Sequence, residues 1–270
     1  MHQIIIENIR LPYLNLDRTL RIYLPPNYEA GDSFPVIYMH DAQNLYDIQT
    51  SSYGAIWDIH THMNAFYEKS GQGYIVVGID NYEGRHNRLD EYSPWINTTI
   101  KEDQLLENIN ENVGGLGDDY VDFLVNTLKP FIDNKYKTKT SRDETSIIGS
   151  SMGGLISIYA ALKYPNIFSR VGAFSTATWF AEKELLQTLR DFNYKLPVKW
   201  YLDIGTKETS NNSKDYFNKL YLEGTKNIYN VLKEHVADDN LMLVIEENGI
   251  HNERDWSRRF PKAIEFLLNK

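Results

Sequence analysis

The chain has 270 residues, of which 42% are hydrophobic, and this is enough for one large α/β domain with a sizeable core. The formal net charge of -9 and the lack of a basic run argue against a nucleic-acid partner, and the absence of cysteine excludes disulfides, thiolate metal sites and a cysteine nucleophile. The first residues contain only three consecutive apolar positions before a charge. We therefore expect neither a signal peptide nor a membrane span, and predict a cytoplasmic protein.

Short β-rich runs alternate with longer helical patterns along the chain, which is typical of a mostly parallel sheet with crossover helices. An antiparallel pair is predicted first, at residues 3–10 and 19–24. Six further strands are predicted at residues 35–41, 74–80, 145–150, 170–175, 199–204 and 241–246. Helices are predicted over residues 55–69 and 118–134, and others are predicted to begin near Met152, Ala181, Ser213 and Glu253.

No change in composition marks a second domain, so we predict a single domain over residues 1–270. Two long segments interrupt the alternation, around residues 81–117 and 176–197. Long segments of this kind are typical of surface insertions, and we expect both to cover a cleft.

Residues 149–153, Gly-Ser-Ser-Met-Gly, match the pattern G-x-S-x-G between a predicted strand and a predicted helix. A nucleophile on so sharp a turn has strained backbone angles, and the residues two before and two after it must be small. Ser151 would then lie at the carboxyl edge of the sheet, beside helix N–H groups that favour developing negative charge. A glycine- and serine-rich turn that only links two elements is the alternative interpretation.

A serine hydroxyl needs a base to take its proton and an acid to orient that base, and in this strand-turn-helix context both follow the serine in the chain. Of the two downstream histidines, His235 falls inside a helical pattern, whereas His251 follows the last predicted strand. We therefore predict His251 as the base. Glu208, just past the seventh predicted strand, is the predicted acid, and Asp203 within that strand is the alternative.

An oxyanion hole requires two backbone donors near the nucleophile. Met152, the residue after the serine, supplies the first N–H group. The second is expected from the loop after the third strand, within residues 40–47. We predict Gln43 as this donor and leave Asp41 and Ala42 as alternatives, because the register of a loop is not fixed by its sequence.

The chain resembles the putative esterase family of α/β-hydrolases, which includes feruloyl esterase domains, S-formylglutathione hydrolases, enterochelin esterases and mycolyltransferases. The motifs that carry the resemblance span nearly the whole length, at residues 23–47, 78–95, 114–133, 147–175, 203–209 and 249–256. One departure is Ala42, where the nearest branch of the family has glycine. If that position requires a positive φ angle, alanine costs about 1 kcal/mol.

The resemblance implies an α/β-hydrolase fold, with a mostly parallel central sheet of about eight strands flanked by helices in one domain. It also implies a catalytic triad of Ser151, Glu208 and His251, and it supports Glu208 because the acid in such enzymes commonly follows a Gly-Thr pair. In this chain that pair is formed by residues 205 and 206.

Aromatic and basic residues near the predicted edge of the sheet are candidates for substrate binding. The aromatic candidates for an acyl or aryl pocket are Tyr46, Trp95 and Trp179. Arg88, and with it Arg85, would be placed to bind a substrate carboxylate. A structural ion pair between Arg88 and Glu91 is the alternative for the first of them.

These residues together predict a serine esterase that hydrolyses a small or medium acyl or aryl ester through an acyl-enzyme intermediate, with no metal or organic cofactor. The predicted partner is a small-molecule ester, without nucleic acid or membrane, and the oligomeric state stays open. An acyltransferase with the same triad is the first alternative. The second is a non-catalytic binding module with the α/β-hydrolase fold.

Overall fold

The computed structural model describes residues 4–81, 87–100, 106, 109, 111–211 and 216–269. Within them, eight strands form one sheet in the order β1-β2-β4-β3-β7-β8-β9-β10. The first two strands are antiparallel, and the other six run parallel to one another. The strands are β1 (Ile4–Leu11), β2 (Leu16–Tyr23), β3 (Val36–His40), β4 (Ile75–Ile79), β7 (Thr145–Ser150), β8 (Arg170–Phe174), β9 (Lys199–Gly205) and β10 (Leu241–Glu246). A separate two-stranded antiparallel sheet consists of β5 (Ile96–Asn97) and β6 (Val113–Gly114).

Helices cover both faces of this sheet, and the described helices are α1 (Ile59–Ser70), α2 (Asn87–Glu91), α3 (Gly117–Phe123), α4 (Lys129–Lys135), α5 (Met152–Lys163), α6 (Glu182–Asp191), α7 (Phe217–Lys233) and α8 (Glu253–Leu268). Successive strand residues point to opposite faces, so Ile37 and Met39 belong to one buried cluster and Val36 and Tyr38 to the other. The first cluster is covered by α1 and α8, and the second by α3 to α7. This layered arrangement confirms the predicted mostly parallel sheet flanked by helices.

The predicted element boundaries agree with the structure at two strands, since the strands predicted at 145–150 and 241–246 have those bounds. The helix predicted over 118–134 is α3 and α4, joined through a π-helical turn at Leu124–Leu128 that apolar periodicity does not reveal. The helix predicted from residue 55 begins at Ile59, because Asp58 before it adopts a left-handed conformation. Ser213, the predicted start of another helix, lies outside the described residues, and α7 begins at Phe217.

The described part of the first insertion is fixed to the sheet by a buried ion pair. Arg18 in β2 donates two hydrogen bonds to Glu91 in α2, at 2.8 and 3.0 Å, and both side chains are almost fully buried. The alternative pairing of Arg88 with Glu91 is therefore wrong, because Glu91 is already held by an arginine from the sheet. Arg85 lies outside the described residues.

Within the described residues, no helix combines the length and the apolar content that are needed to cross a bilayer.

Candidate active site

Ser151 occupies a strained turn between β7 and α5. Its φ of 58° and ψ of -123° lie in a region that non-glycine residues rarely adopt. The turn is held from both sides, since the Ser151 N–H donates to the Phe174 carbonyl and its own carbonyl accepts from Ala177. A Cβ atom on Gly149 would lie 2.5 Å from the Gly153 carbonyl oxygen, so this position requires glycine. The sequence argument for small residues around the serine therefore has a steric basis in the structure.

His251 and Glu208 contact each other at the same edge of the sheet as Ser151. The three residues follow β10, β9 and β7, whose carboxyl ends meet there because the strands are parallel. His251 Nδ1 lies 2.6 Å from Glu208 Oε2. Glu208 is fully buried and the His251 side chain is 12% exposed. The Glu208 contact fixes the orientation of the imidazole and directs Nε2 away from the carboxylate.

Four donors surround the Glu208 carboxylate. Besides His251, Oε1 accepts hydrogen bonds from the Ser175 hydroxyl at 2.6 Å, from the Gly205 N–H at 2.9 Å and from Arg259 at 3.4 Å. Burial alone would raise the pKa of Glu208, but the hydrogen bonds from His251 and Ser175 and the charge of Arg259 outweigh it, and the pKa lies below its ordinary value. The group is therefore a carboxylate when it faces the imidazole.

Asp203, the alternative acid, is placed differently. Its Oδ2 accepts from Arg259 Nε at 3.0 Å and from the Tyr201 hydroxyl at 3.3 Å, and its Oδ1 has no hydrogen-bond partner among the described residues. Burial raises the pKa of Asp203 to about 7 in spite of the Arg259 charge. Asp203 thus contacts the arginine behind Glu208, and the imidazole contact is made by Glu208.

Ser175, Trp256 and Arg259 form a supporting network around Glu208 that was not predicted from the sequence. The Ser175 hydroxyl accepts from Trp256 Nε1 at 2.8 Å and from Arg259 at 3.0 Å, so its own proton is directed to Glu208. The Trp256 ring also packs edge-on against His251, with ring centroids 4.9 Å apart. Ser175 directly follows β8, so the rule that places Ser151 and Glu208 at this edge would have found it as well.

Tyr221 of α7 lies against the imidazole and interacts with the serine. Its hydroxyl lies 3.5 Å from His251 Nε2, and its interaction with Ser151 lowers the pKa of Tyr221 against the larger effect of burial. Among the described residues, Ser151 Oγ and His251 Nε2 share no direct hydrogen bond. Catalytic hydrogen bonds are often long in an unliganded site and shorten when substrate binds. The sequence gives little warning of Tyr221, because it falls on the apolar face of an amphipathic helix and looks like a core residue.

The predicted oxyanion loop is a short helical turn, Ala42–Asn44, directly after β3. The first N–H groups of a helical turn have no acceptor within that turn, so the N–H groups of Met152, Ala42 and Gln43 are candidate donors. The Asp41 N–H instead points to the Tyr92 hydroxyl at 3.3 Å, which argues against Asp41 as the donor. The positive φ in this loop belongs to Asp41 and not to Ala42, so alanine in place of the family's glycine causes no backbone strain.

Arg88 holds this loop in place and does not point a free guanidinium at the site. Its Nε and a terminal nitrogen donate to the two carboxylate oxygens of Asp41 at 2.7 and 2.8 Å, and Asn81 donates to the same carboxylate at 2.6 Å. Arg88 also reaches the Ser150 carbonyl at 3.4 Å. Our expectation that Arg88 binds a substrate carboxylate must be revised, because the carboxylate of Asp41 occupies that position.

The three predicted aromatic pocket residues lie in different surroundings. Trp179 packs edge-on against Tyr221, with ring centroids 6.3 Å apart, and so borders the cluster around Ser151. Trp95 packs against Tyr159 of α5. Tyr46 is buried in the core that α1 covers, where its ring faces His60, and it is a packing residue rather than part of a pocket at the edge of the sheet.

Glu253 is a buried carboxyl that joins the two loops of the site. It is 3% exposed, begins α8 two residues after His251, and accepts a hydrogen bond from Asn44 in the oxyanion loop at 3.2 Å. Burial, assisted by the negative charge of Asp41, raises the pKa of Glu253 to about 7. Near neutral pH this carboxyl is therefore partly protonated.

We expect the Glu253→Gln variant to gain stability over the native protein as the pH rises. The folded protein keeps a proton that the unfolded chain releases from about pH 4.5 upward, so the native free energy of unfolding falls between pH 4.5 and 7, by up to roughly 3 kcal/mol. Urea unfolding at pH 5, 6 and 7 measures this difference. Glu265→Gln on the same helix, where the side chain is 47% exposed, is the control. A Glu253→Gln difference that does not change with pH would contradict the assignment.

Comparison with known proteins identifies the family. Residues 12–267 match the model of the putative esterase family. The uncharacterized protein YbbA of Bacillus subtilis is 29% identical over 259 residues, which cover 94% of each chain.

Solved structures of esterases share the fold. The enterobactin esterase FES from Shigella flexneri superposes with a TM-score of 0.73 and 16% identity, over 98% of this chain and 58% of that chain. The ferulic acid esterase AmCE1/Fae1A from Anaeromyces mucronatus superposes with a TM-score of 0.66 and 18% identity, over 99% and 92% of the two chains. The chain therefore belongs to the putative esterase family and is an ester hydrolase with the α/β-hydrolase fold.

Proposed function

We propose that the protein is a serine carboxylic-ester hydrolase that acts through an acyl-enzyme intermediate. The observation that supports this most strongly is the 2.6 Å contact between Glu208 and His251 Nδ1, beside a serine held in a strained turn. A buried carboxylate on one imidazole nitrogen leaves the other nitrogen as a proton acceptor for a serine hydroxyl. Tyr221, whose hydroxyl lies 3.5 Å from His251 Nε2 and interacts with Ser151, supports the pairing of these two side chains.

In this mechanism His251 Nε2 takes the proton of Ser151 while Oγ forms a bond to the ester carbonyl carbon. The carbonyl oxygen becomes an oxyanion, which the N–H of Met152 and an N–H of Ala42 or Gln43 stabilise. The proton then moves from His251 to the alcohol oxygen as the bond between carbon and that oxygen breaks. A water molecule repeats the sequence on the acyl-enzyme and releases the acid.

The proposed substrate is a small or medium ester with an acyl or aryl group. The two superposed esterases are named for enterobactin and for ferulic acid, and a related specificity for aryl esters is our proposal for this chain. Trp179, which borders the cluster around Ser151, supplies an aromatic surface for such a group. The net charge of -9 favours substrates that are not strongly anionic.

The test is the turnover of a panel of p-nitrophenyl esters of increasing acyl length, together with methyl ferulate, in buffer with and without an added alcohol. We expect release of the free acid in both buffers, well above the uncatalysed rate. Acyl transfer to the alcohol in preference to water would identify an acyltransferase instead. Binding of these esters without turnover would identify a non-catalytic binding module.

A further inference from the structure

Tyr221 lies beside His251 at the site but has no role in the proposed triad. It is fully buried on α7, and its ring lies against the imidazole of His251, with centroids 4.7 Å apart. Its hydroxyl lies 3.5 Å from His251 Nε2, and it interacts electrostatically with Ser151, which lowers the pKa of the phenol. These are the two side chains between which the mechanism moves a proton.

The hydroxyl is anchored on its other side by Ser210. The two oxygens lie 2.5 Å apart, and either of them can be the donor. When Ser210 donates, the phenol proton of Tyr221 is left for a partner on the side of Ser151 and His251. Burial raises the pKa of Tyr221 to about 12, against the effect of its hydrogen bonds, so the phenol keeps its proton throughout the neutral range.

The position of the leaving group follows from the chemistry. The alcohol oxygen of the ester is bonded to the carbon that Ser151 Oγ attacks, and it must reach His251 Nε2 to receive a proton. It therefore occupies the space between these two side chains. A hydroxyl that lies 3.5 Å from Nε2 and interacts with Ser151 is within reach of that oxygen.

We propose that Tyr221 is a catalytic hydrogen-bond donor to the leaving alcohol oxygen of the ester, an inference that rests on the proposed function. As the bond between carbon and oxygen breaks, its electron pair stays on the oxygen, and the proton held by His251 Nε2 moves to that oxygen. Tyr221 keeps its own proton and donates a hydrogen bond to the developing negative charge. Alcohols that leave poorly as anions depend on this donor most.

The experiment compares Tyr221→Phe with the native protein on two esters of the same acyl group, one of p-nitrophenol and one of ethanol. The ratio kcat/KM reports the steps up to the loss of the alcohol. We expect kcat/KM for the ethyl ester to fall about ten- to hundredfold, the effect of one hydrogen bond to a charged oxygen. For the p-nitrophenyl ester we expect less than about a threefold change, because p-nitrophenolate needs little help to leave.

Equal losses on both esters would show that Tyr221 only packs against His251, and no loss on either would show that it does not reach the leaving group. Both results overturn the proposal.

Tyr229→Phe is the matched control, about 12 Å further along the same helix, and should leave both rates unchanged. Ser210→Ala removes the anchor of the phenol and should lower only the ethyl ester rate, by about three- to tenfold. This variant tests the proposal even if Tyr221→Phe fails to fold. If the proposed function itself is wrong, the native protein will hydrolyse neither ester faster than Ser151→Ala does.

Discussion

Ser151→Ala is expected to lower kcat for ester hydrolysis by about 10⁴- to 10⁶-fold, and His251→Ala by a similar factor. The alanine removes the atom that bonds to the acyl carbon, and loss of the imidazole leaves that atom without a base. Because the two residues act as one unit, the double variant should be scarcely slower than either single variant. Steady-state kinetics on a p-nitrophenyl ester measures all three rates.

The chain offers a close control for each substitution. Ser150→Ala changes the neighbouring serine and should retain most of the activity. The described interactions of Ser150 with Arg88 and with the sheet are made by its backbone, which the substitution leaves in place. His235→Ala changes the other downstream histidine, which stacks on Tyr194. If His235→Ala abolishes activity, or if the losses at Ser151 and His251 multiply in the double variant, the proposed pair is incorrect.

Glu208→Gln is expected to lower kcat by about 10³- to 10⁴-fold with little change in KM. The carboxylate accepts a hydrogen bond from His251 Nδ1, whereas the amide has only one acceptor oxygen to meet its four donors. The imidazole then loses the partner that fixes its tautomer and stabilises its charged form. Kinetics, with thermal unfolding to confirm that the variant is folded, separates this loss from a loss of structure.

Asp203→Asn provides the comparison. Asp203 contacts Arg259 and not the imidazole, so we expect a decrease of no more than about tenfold, which arises through Arg259. A loss of 10³-fold in Asp203→Asn together with an active Glu208→Gln would make Asp203 the acid.

The fold could be predicted from the sequence because its elements carry local signals. The strand from 145 to 150 is centred on the β-branched residues Ile147 and Ile148, and small residues surround the turn after it, so the strand, the turn and α5 follow from neighbouring residues alone. The rule that parallel strands end at one edge then brought the loops of Ser151, Glu208 and His251 together without knowledge of any side-chain contact. The π-helical turn at Leu124–Leu128 has no such local signal.

Side-chain partners that are distant in the sequence could not be predicted in this way. Arg88 has Glu91 three residues away, yet it binds Asp41, which is 47 residues away, because β3 ends beside α2 in the folded chain. Tyr221 and Tyr46 are both aromatic residues near apolar ones. Tyr221 reaches the site because α7 packs against His251, whereas Tyr46 lies in the core that α1 covers.

The most direct test of the account is the site of reaction with a fluorophosphonate, which bonds covalently to a serine that a base has activated. We predict one adduct for each native chain, assigned to Ser151 and not to Ser150 by fragmentation of the peptide that contains both, and none on Ser151→Ala. An unlabelled native protein that still hydrolyses esters, or an adduct on another residue with full activity in Ser151→Ala, would contradict it.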